Sequence, residues 1–226
     1  MSRVKIHTDG CCLVNPGGPG SWAVVISPEE DLAISDKTIF FSGGHNKTTN
    51  NIQELSGVLE ALKWVKENKK TNVIIYSDSK YCVTGANVWV HAWAKQCWKK
   101  RKMKHGVLAS IKNVDLWKQI YGLYCETSCR LEWVRGHNGD PFNEFADMLA
   151  GKAVKAFSDN VTATFSQLDI GTTVCQVLPG KYWAPRYEVI QLFPTSSTVI
   201  LKCLNSKQKP LVMSSKEFNS AKMILL

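Results

Sequence analysis

The first part of the chain alternates apolar and polar positions in a way that predicts a sheet. Alternation from Val4 to Thr8 and apolar-rich runs over 21–27 (SWAVVIS) and 38–43 (TIFFSG) predict three strands. The Pro- and Gly-rich segment 15–20 (NPGGPG) predicts a tight loop between the first two. We therefore expect an antiparallel meander at the start of the chain.

The pattern then changes to that of helices packed on a sheet. Helical spacing of apolar residues over 52–65, after a capping segment at 49–51, predicts the first helix. The apolar run 72–76 is typical of a strand buried on both faces. The remaining predicted elements are helices over 81–98 (interrupted by Gly85), 114–125 and 142–157, and a strand over 131–134. The order β-β-β-α-β-α-α-β-α predicts an α/β fold with a mixed sheet flanked by helices.

Composition changes after Phe157. The polar segment 158–167 predicts a linker between one domain over 1–157 and a smaller one over 168–226. The smaller domain has four predicted strands, over 172–178, 186–193, 198–204 and 210–214, and Ser214 and Glu217 have the spacing of a capping box. We expect a small, mostly-β module, SH3-like or OB-like, that binds nucleic acid, docks a protein or forms a dimer surface.

Charge and composition narrow the class of protein. The net charge is +9, from 28 basic and 19 acidic residues, which favours a polyanionic partner such as nucleic acid as well as solubility. No run approaches the ~18 apolar residues of a membrane span, and no secretory signal begins the chain. We expect a cytoplasmic, monomeric protein without membrane association (in the host cytoplasm if a virus encodes it). Its eight cysteines are then reduced thiols, not disulfides.

Four acids stand where strands or helices would present them. Asp9 and Asp78 follow predicted strands, and Glu54 and Asp147 lie in predicted helices. Each alone has an ordinary explanation as a turn, cap or solvated helix residue. Together, four adjacent carboxylates would repel one another unless cations lay between them. Oxygen ligands suit Mg²⁺ or Mn²⁺, and two such ions can promote phosphodiester cleavage.

The sequences around these acids carry a family resemblance. They are TDGCCLVNPG at 8–17, TTNNIQEL at 48–55, YSDSKYCV at 76–83, and WVRGHNG at 133–139 followed by NEFAD at 143–147. In order and spacing, these motifs closely resemble type 1 ribonuclease H over residues 1–157. The resemblance implies a five-stranded mixed sheet flanked by helices. It also implies endonucleolytic hydrolysis of the RNA strand of RNA–DNA hybrids, leaving 5′-phosphate and 3′-hydroxyl ends.

The resemblance also implies roles for individual residues. Asp9 would bridge two Mg²⁺ ions (with Mn²⁺ as a possible substitute), and Glu54, Asp78 and Asp147 would complete the metal site. His137, on a glycine-flanked loop, would assist proton transfer or product departure as a further catalytic residue. Predicted contacts to the hybrid are Cys12, Asn15, Thr49, Asn50, Asn51, Ser79 and Lys80. Lys80 stands where many relatives carry an uncharged polar residue, and Val14 where glycine is frequent.

A basic, tryptophan-rich stretch begins in the second predicted helix and continues toward the third. Six cations fall within ten positions, at Lys95, Lys99, Lys100, Arg101, Lys102 and Lys104. The stretch resembles the family's basic protrusion, which grips the DNA strand. Predicted substrate contacts here are Trp89, Trp93, Lys99, Lys100 and Arg101. Lysines of such an arm add affinity through phosphates without reading sequence. The alternative is a solvated charged face.

Two other functions remain as alternatives. The same fold supports other polynucleotidyl-transfer enzymes, such as integrases or resolvases, but these lack a loop like that of His137 and this basic arm. The chain could also be a hybrid-binding protein without catalysis, which the presence of all four acids argues against. Cleavage of a hybrid distinguishes the three.

Overall fold

A computed structural model describes residues 3–35, 37–101, 108–158, 168, 173–176, 186–193, 198–203, 211–221 and 223–225. The strands of the first part are β1 (Val4–Cys12), β2 (Gly20–Pro28), β3 (Ile39–His45), β4 (Val73–Ser77), β5 (Lys99–Arg101), β6 (Leu108–Ser110) and β7 (Arg130–Trp133). The helices are α1 (Asn50–Glu67), α2 (Lys80–Thr84), α3 (Val90–Lys95), α4 (Val114–Thr127) and α5 (Pro141–Ser158), with a π-helical segment (Gly85–Trp89) between α2 and α3.

Five of these strands form one mixed sheet, in the order β3-β2-β1-β4-β7. The first three strands pair antiparallel, which confirms the predicted meander, whereas β4 runs parallel to β1 and β7 runs parallel to β4. The predicted mixed sheet flanked by helices is therefore confirmed. Strand β1 lies at the centre, so the side chains at its end are surrounded by neighbouring elements.

Helices α1 and α5 pack on opposite faces of this sheet. Successive side chains of a strand point to opposite faces. On β1, the ring of His7 stacks on Phe142 of α5, whereas a Cβ atom at Gly10 would collide with the backbone of Glu54 in α1. The missing side chain of Gly10 thus lets α1 approach the sheet closely. This approach brings Glu54 beside Asp9, the neighbour of Gly10 in β1.

The segment after β4 follows the predicted helix in part. It is helical up to Lys95, with the predicted interruption at Gly85, where an added Cβ would collide with the Trp117 ring. The prediction that the helix continues to residue 98 is wrong. Cys97 and Trp98 have φ angles of 50° and 61°, outside the helical region, and the chain then enters the β5–β6 hairpin, which was not predicted.

The C-terminal part contains a second sheet. Its strands are β8 (Thr173–Gln176), β9 (Arg186–Phe193), β10 (Thr198–Cys203), β11 (Leu211–Ser214) and β12 (Met223–Leu225), in the order β11-β10-β9-β8-β12. All neighbouring strands pair antiparallel. The predicted capping box is present, since the Ser214 and Glu217 side chains each bond the other's backbone at the start of α6 (Ser215–Ser220). Strand β12 was not predicted.

This second sheet has its own apolar cluster. The buried members are Leu168, Tyr187, Val189, Val199, Leu201 and Phe218. They form a cluster separate from the core around the first sheet. The pairings among the described strands do not join β11 to β12, so closure into an SH3-like or OB-like barrel stays a prediction. Most of the predicted linker, 159–167, lies outside the described residues.

Two expectations from composition can be compared with the described part of the chain. Six cysteines there have free thiols, at Cys11, Cys12, Cys82, Cys97, Cys125 and Cys129, in line with reduced thiols. No helix within the described ranges has both the length and the apolar content needed to cross a membrane.

One buried histidine links β1 to the start of α5. His7 is 2% exposed and stacks between Tyr76 and Phe142, with ring centroids 4.9 Å and 5.6 Å away. Its Nε2 atom lies 3.4 Å from Oδ2 of Asp140, whose Oδ1 accepts the backbone N–H groups of Phe142 and Asn143. Burial lowers the pKa of His7 to about 4, against the opposing effect of Asp140. The ring is therefore neutral at pH 7.

We predict that His7 makes stability depend on pH. Its pKa is about 4 in the folded protein and 6.5 when exposed, so its contribution is fully present above pH 6.5 and is lost as pH falls toward 4. His7→Phe keeps the aromatic stack and removes the titration. Between pH 7.5 and 4, the unfolding free energy of the wild type should fall relative to His7→Phe by roughly 1–3 kcal/mol.

Urea unfolding of both proteins at several pH values measures this difference. The control is His91→Asn, which replaces an exposed histidine, and the difference between proteins with and without His7 should persist in that background. A free-energy difference between wild type and His7→Phe that stays constant across this range would contradict the prediction.

Candidate active site

Three of the four predicted carboxylates meet at one end of the central strands. Thr8 of β1 pairs with Ser77 of β4, and because these strands are parallel, Asp9 and Asp78 follow at the same edge of the sheet. Glu54 reaches this edge from the first turns of α1. One oxygen atom from each of Asp9, Glu54 and Asp78 lies within 4.8 Å of the others. The fold thus concentrates three acids in one small volume.

Burial and mutual repulsion make these acids hard to ionise together. Asp9 and Glu54 are each 6% exposed, and Asp78 is half-buried. Burial, followed by the charge of Asp78, raises the pKa of Asp9 to about 8. Burial and the charges of Asp9 and Asp78 raise the pKa of Glu54 well above its ordinary value. Burial also raises the pKa of Asp78. A cation between the acids would relieve both costs.

The hydrogen bonds of the cluster leave oxygen atoms available for such a cation. The Gly10 N–H donates to Oδ1 of Asp9 at 2.7 Å, and Nδ2 of Asn50 donates to Oε1 of Glu54 at 3.4 Å. Oε2 of Glu54 is buried and has no hydrogen-bond partner within the described part of the chain. An unpartnered buried carboxylate oxygen among other carboxylates matches the oxygen-only ligand set of Mg²⁺ or Mn²⁺. The residues therefore fit a hard divalent cation.

Asp147 and His137 lie at the rim of the cluster. Asp147, on α5, hydrogen-bonds Asp9, which helps to raise the pKa of Asp9. Its side chain is 49% exposed, and it is outside the closest group of three. Nδ1 of His137 lies 3.8 Å from Oδ2 of Asp147, and the histidine side chain is 80% exposed. His137 has a φ of 50°, a left-handed conformation that is uncommon for residues other than glycine.

Asn143 is a site residue that the sequence reasoning missed. It is buried on α5 and hydrogen-bonds Asp78, which lowers the pKa of that acid against the effect of burial. Its own Oδ1 is buried without a partner among the described residues. Asn143 precedes Asp147 by four positions and so lies on the same helix face. That spacing was the available signal.

Several predicted substrate contacts surround a cavity of about 340 Å³ next to the N-terminus of α1. The lining residues are Asn15, Thr49, Asn51, Ile52, Lys112 and Asn113. Oδ1 of Asn15 accepts the Asn50 N–H at 3.2 Å, and the Thr49 hydroxyl accepts the Ile52 N–H as the helix cap. The structure thus brings Asn15, Thr49 and Asn51 together. It adds Lys112 and Asn113, which are distant in sequence and were not proposed as contacts.

The other predicted contacts occupy different surroundings. Sγ of Cys12 lies 3.3 Å from the Val14 carbonyl oxygen and 3.8 Å from that of Thr48, in the loop beside the cavity. The Ser79 hydroxyl caps α2 by accepting the Cys82 N–H. Lys80 is exposed, and its ammonium lies 4.9 Å from the Trp133 ring centre.

The tryptophans of the basic arm are mainly packing residues. Trp89 and Trp93 are half-buried, with ring centroids 5.6 Å apart. Trp89 also contacts Tyr81, and Trp93 contacts Trp117. The β5–β6 hairpin follows this cluster along the chain, and Lys99, Lys100 and Arg101 form its first strand. The side chains of these three cations lie outside the described part of the structure.

Comparisons with known proteins agree with this geometry. The sequence model of the RNase H family matches residues 1–155. The ribonuclease H of Polaromonas naphthalenivorans (strain CJ2) is 41% identical over 155 residues, which cover 68% of this chain and 88% of that protein. The ribonuclease H of Acidovorax sp. (strain JS42) is 41% identical over 157 residues, covering 69% of this chain and 97% of the relative.

Solved structures show the same fold. LC9-RNase H1, described as a type 1 RNase H with the type 2 active-site motif, superimposes with a TM-score of 0.57 at 30% identity. The match covers 69% of this chain and 74% of that one. The prototype foamy virus RNase H domain gives a TM-score of 0.55 at 18% identity, covering 71% of this chain and 96% of the domain. At that identity the likeness concerns the fold alone.

We predict that Asp9→Asn stabilises the metal-free protein. The pKa of Asp9 is about 8 when folded and 3.8 when exposed, so its contribution to stability is fully present below pH 3.8 and is lost as pH rises through 8. Asparagine keeps the bond to the Gly10 N–H without the charge. At pH 8 in EDTA, the unfolding free energy should rise by at least about 1.4 kcal/mol, the equivalent of one pKa unit.

Mg²⁺ should reverse the order of stability of the wild type and Asp9→Asn. In thermal melts, increasing Mg²⁺ should raise the Tm of the wild type and change the Tm of Asp9→Asn much less. The exposed-acid variant Glu30→Gln is the control and should behave like the wild type. If Asp9→Asn is less stable than the wild type in EDTA, the charge of Asp9 does not destabilise the metal-free protein and the prediction is wrong.

Proposed function

The chain belongs to the ribonuclease H family, whose enzymes are endoribonucleases, and we propose that it hydrolyses the RNA strand of RNA–DNA hybrids. The observation that carries this proposal is the group of three acids, Asp9, Glu54 and Asp78, with oxygen atoms within 4.8 Å of one another. Because these acids are costly to ionise side by side, they favour a cation and, with it, a phosphodiester substrate. The basic surface of the chain suits a polyanion.

Divalent cations belong to this proposal. Asp9, Glu54, Asp78 and Asp147 would hold them, and Mg²⁺ is the preferred candidate. When bound, such ions supply an activated water and charge stabilisation for the leaving oxygen. Cleavage would leave a 5′-phosphate and a 3′-hydroxyl.

The chain's own residues would orient the ligands and move protons. Asn50 donates to Oε1 of Glu54, and Asn143 hydrogen-bonds Asp78, so each amide restricts the rotation of one carboxylate. His137 is exposed beside Asp147, and its imidazole can exchange a proton between the leaving oxygen and solvent. The ring lies at the rim of the cluster, where 80% of the side chain is exposed.

Recognition of the hybrid would rest on polar groups on either side of the acids. The cavity lined by Asn15, Thr49, Asn51 and Lys112 presents amide, hydroxyl and ammonium groups. These groups suit backbone phosphates, which both strands carry, and ribose 2′-hydroxyls, by which proteins distinguish RNA from DNA. The β5–β6 hairpin, with Lys99, Lys100 and Arg101, would contact the DNA strand.

Hybrid cleavage tests the proposed function directly. With Mg²⁺, the protein should cut the RNA strand of a labelled RNA–DNA hybrid at internal positions and spare single-stranded RNA and duplex DNA. Asp9→Asn should lower the cleavage rate at least about a thousandfold, because the stabilisation that metal ions supply is worth several kcal/mol. End-labelling of the products identifies the 5′-phosphate and 3′-hydroxyl.

The exposed-acid variant Glu30→Gln should cut at the wild-type rate. If Asp9→Asn still cleaves the hybrid, catalysis does not depend on this carboxylate and the proposed mechanism is wrong. Binding without any cleavage by the wild type would instead favour a hybrid-binding protein. Strand transfer or junction cleavage without hybrid specificity would favour the integrase or resolvase alternative.

We also propose that residues 1–157 and 168–226 are separate domains. Two observations support this division. The second sheet has a buried cluster of its own, and the sequence model of the RNase H family matches residues 1–155. The Acidovorax relative is almost completely covered by that match, so the first domain corresponds to a whole enzyme elsewhere. We propose that the second domain adds affinity for the hybrid.

Removal of the C-terminal part tests the division. A protein that ends at Phe157 should still cleave the hybrid, because the acids and His137 are all present, but it should bind the hybrid less tightly than the full chain. Binding is measured by fluorescence anisotropy in an Asp9→Asn background, so that the hybrid stays intact. Equal affinities of the two lengths would exclude a nucleic-acid role and favour protein docking or dimerisation.

A further inference from the structure

Trp133 occupies an unusual position beside the acids. It is the last residue of β7, where it pairs with Ser77, the residue just before Asp78. Its side chain is 46% exposed, although tryptophan is among the most costly side chains to leave in water. The fold leaves nearly half of this residue exposed, even though the same sheet has a large apolar core. An exposed ring at the edge of a catalytic centre is available to a ligand.

Trp133 is nevertheless held in a defined orientation. Its Nε1–H donates to the backbone carbonyl oxygen of Asp78 at 3.0 Å. This bond joins the indole to the same residue whose carboxylate completes the group of three. The polar edge of the ring is therefore occupied, while the ring faces remain open to other contacts.

One ring face carries the ammonium of Lys80. Nζ of Lys80 lies 4.9 Å from the ring centroid, within the range of a cation–π interaction. Lys80 follows Asp78 by two positions, yet none of the ion pairs among the described residues involves it. The aromatic face restrains the ammonium without neutralising it, as a carboxylate partner would. A positive charge is thus held on the ring that is hydrogen-bonded to the Asp78 backbone, and it is open to solvent.

We propose that Lys80, positioned by Trp133, binds a phosphate of the RNA strand beside the scissile bond. The inference rests on the proposed function, since it names a subsite for the same substrate. A cluster of acids repels the polyanion that it must cleave, and a restrained cation at its edge offsets that repulsion at the point of contact. Trp133 acts as a positioning residue, because its contacts are with Lys80 and the Asp78 backbone.

The salt dependence of binding is the most direct test. Hybrid affinity is measured over a series of salt concentrations in an Asp9→Asn background. Lys80→Gln should reduce the slope of log affinity against log salt by about 0.9, the contribution of one phosphate contact. The control is Lys118→Gln. Lys118 is an exposed lysine in the groove between α1 and α4 and lies beside Lys66. Lys66 is roughly three helical turns from Glu54 along α1, so this groove is distant from the acids. Lys118→Gln should therefore leave the slope unchanged.

Variants of Trp133 test the positioning role. Trp133→Leu removes the ring and should reduce the slope as much as Lys80→Gln does. Combining the two changes should reduce it no further, because both act through one ammonium. Trp133→Phe keeps an aromatic face and should retain most of the slope. A wild-type slope in Trp133→Leu, or additive losses in the double variant, would overturn the positioning role.

Neutral phosphate analogues identify the strand. In hybrids with a single methylphosphonate next to the scissile position, Lys80→Gln should have no further effect on affinity when the neutral group is in the RNA strand. If the effect of Lys80→Gln on affinity disappears only when the neutral group is in the DNA strand, the assignment of the contact to the RNA strand is wrong.

The two proposals fail in different ways. A parent protein that neither binds nor cleaves hybrids overturns the proposed function and this subsite together. A parent that binds and cleaves, with equal salt slopes for Lys80→Gln and Lys118→Gln, overturns the subsite alone.

Discussion

The close contact between α1 and β1 at Gly10 determines the geometry of the site. Because Gly10 has no side chain, the backbone of α1 can lie against the strand, and a Cβ atom there would collide with Glu54 itself. Asp9 precedes Gly10 on the strand, and the parallel neighbour β4 places Asp78 at the same edge. Three acids that are far apart in sequence are thereby held together by backbone packing. The positions of Asn50, Thr49 and the adjacent cavity depend on the same helix.

The electrostatic cost of this arrangement links stability to activity. The pKa values of Asp9, Glu54 and Asp78 are all raised, with burial as the largest cause in each case. In the absence of metal, the ionisation of these buried acids destabilises the folded chain at neutral and higher pH. A bound cation would offset this cost. The protein thus keeps a destabilised cluster that either protonation or a bound cation would relieve, and only the cation does so with the acids ionised. This is the expected pattern for a site selected for function and not for stability.

Cations and aromatic rings surround this acidic centre in two ways. Around Trp89, Trp93 and Trp117, the rings pack against one another just before the hairpin that carries Lys99, Lys100 and Arg101. At Trp133, the ring is exposed and restrains a single ammonium. The first arrangement uses aromatic surface for packing, and the second uses it to orient charge.

Much of the fold and the identity of the clustered acids could be predicted from the sequence alone. The alternation in β1, the helical spacing in α1 and the apolar run of β4 are local patterns, and the motifs around the four acids and His137 are contiguous segments. Other features depended on tertiary structure, because they join residues from separate elements. Asn143 reaches Asp78 from another element, Lys112 and Asn113 complete a cavity that begins at Asn15, and Trp133 meets Lys80 only because β7 lies beside β4. The end of the helix at Lys95 was decided by the left-handed backbone at Cys97 and Trp98, which apolar spacing does not reveal.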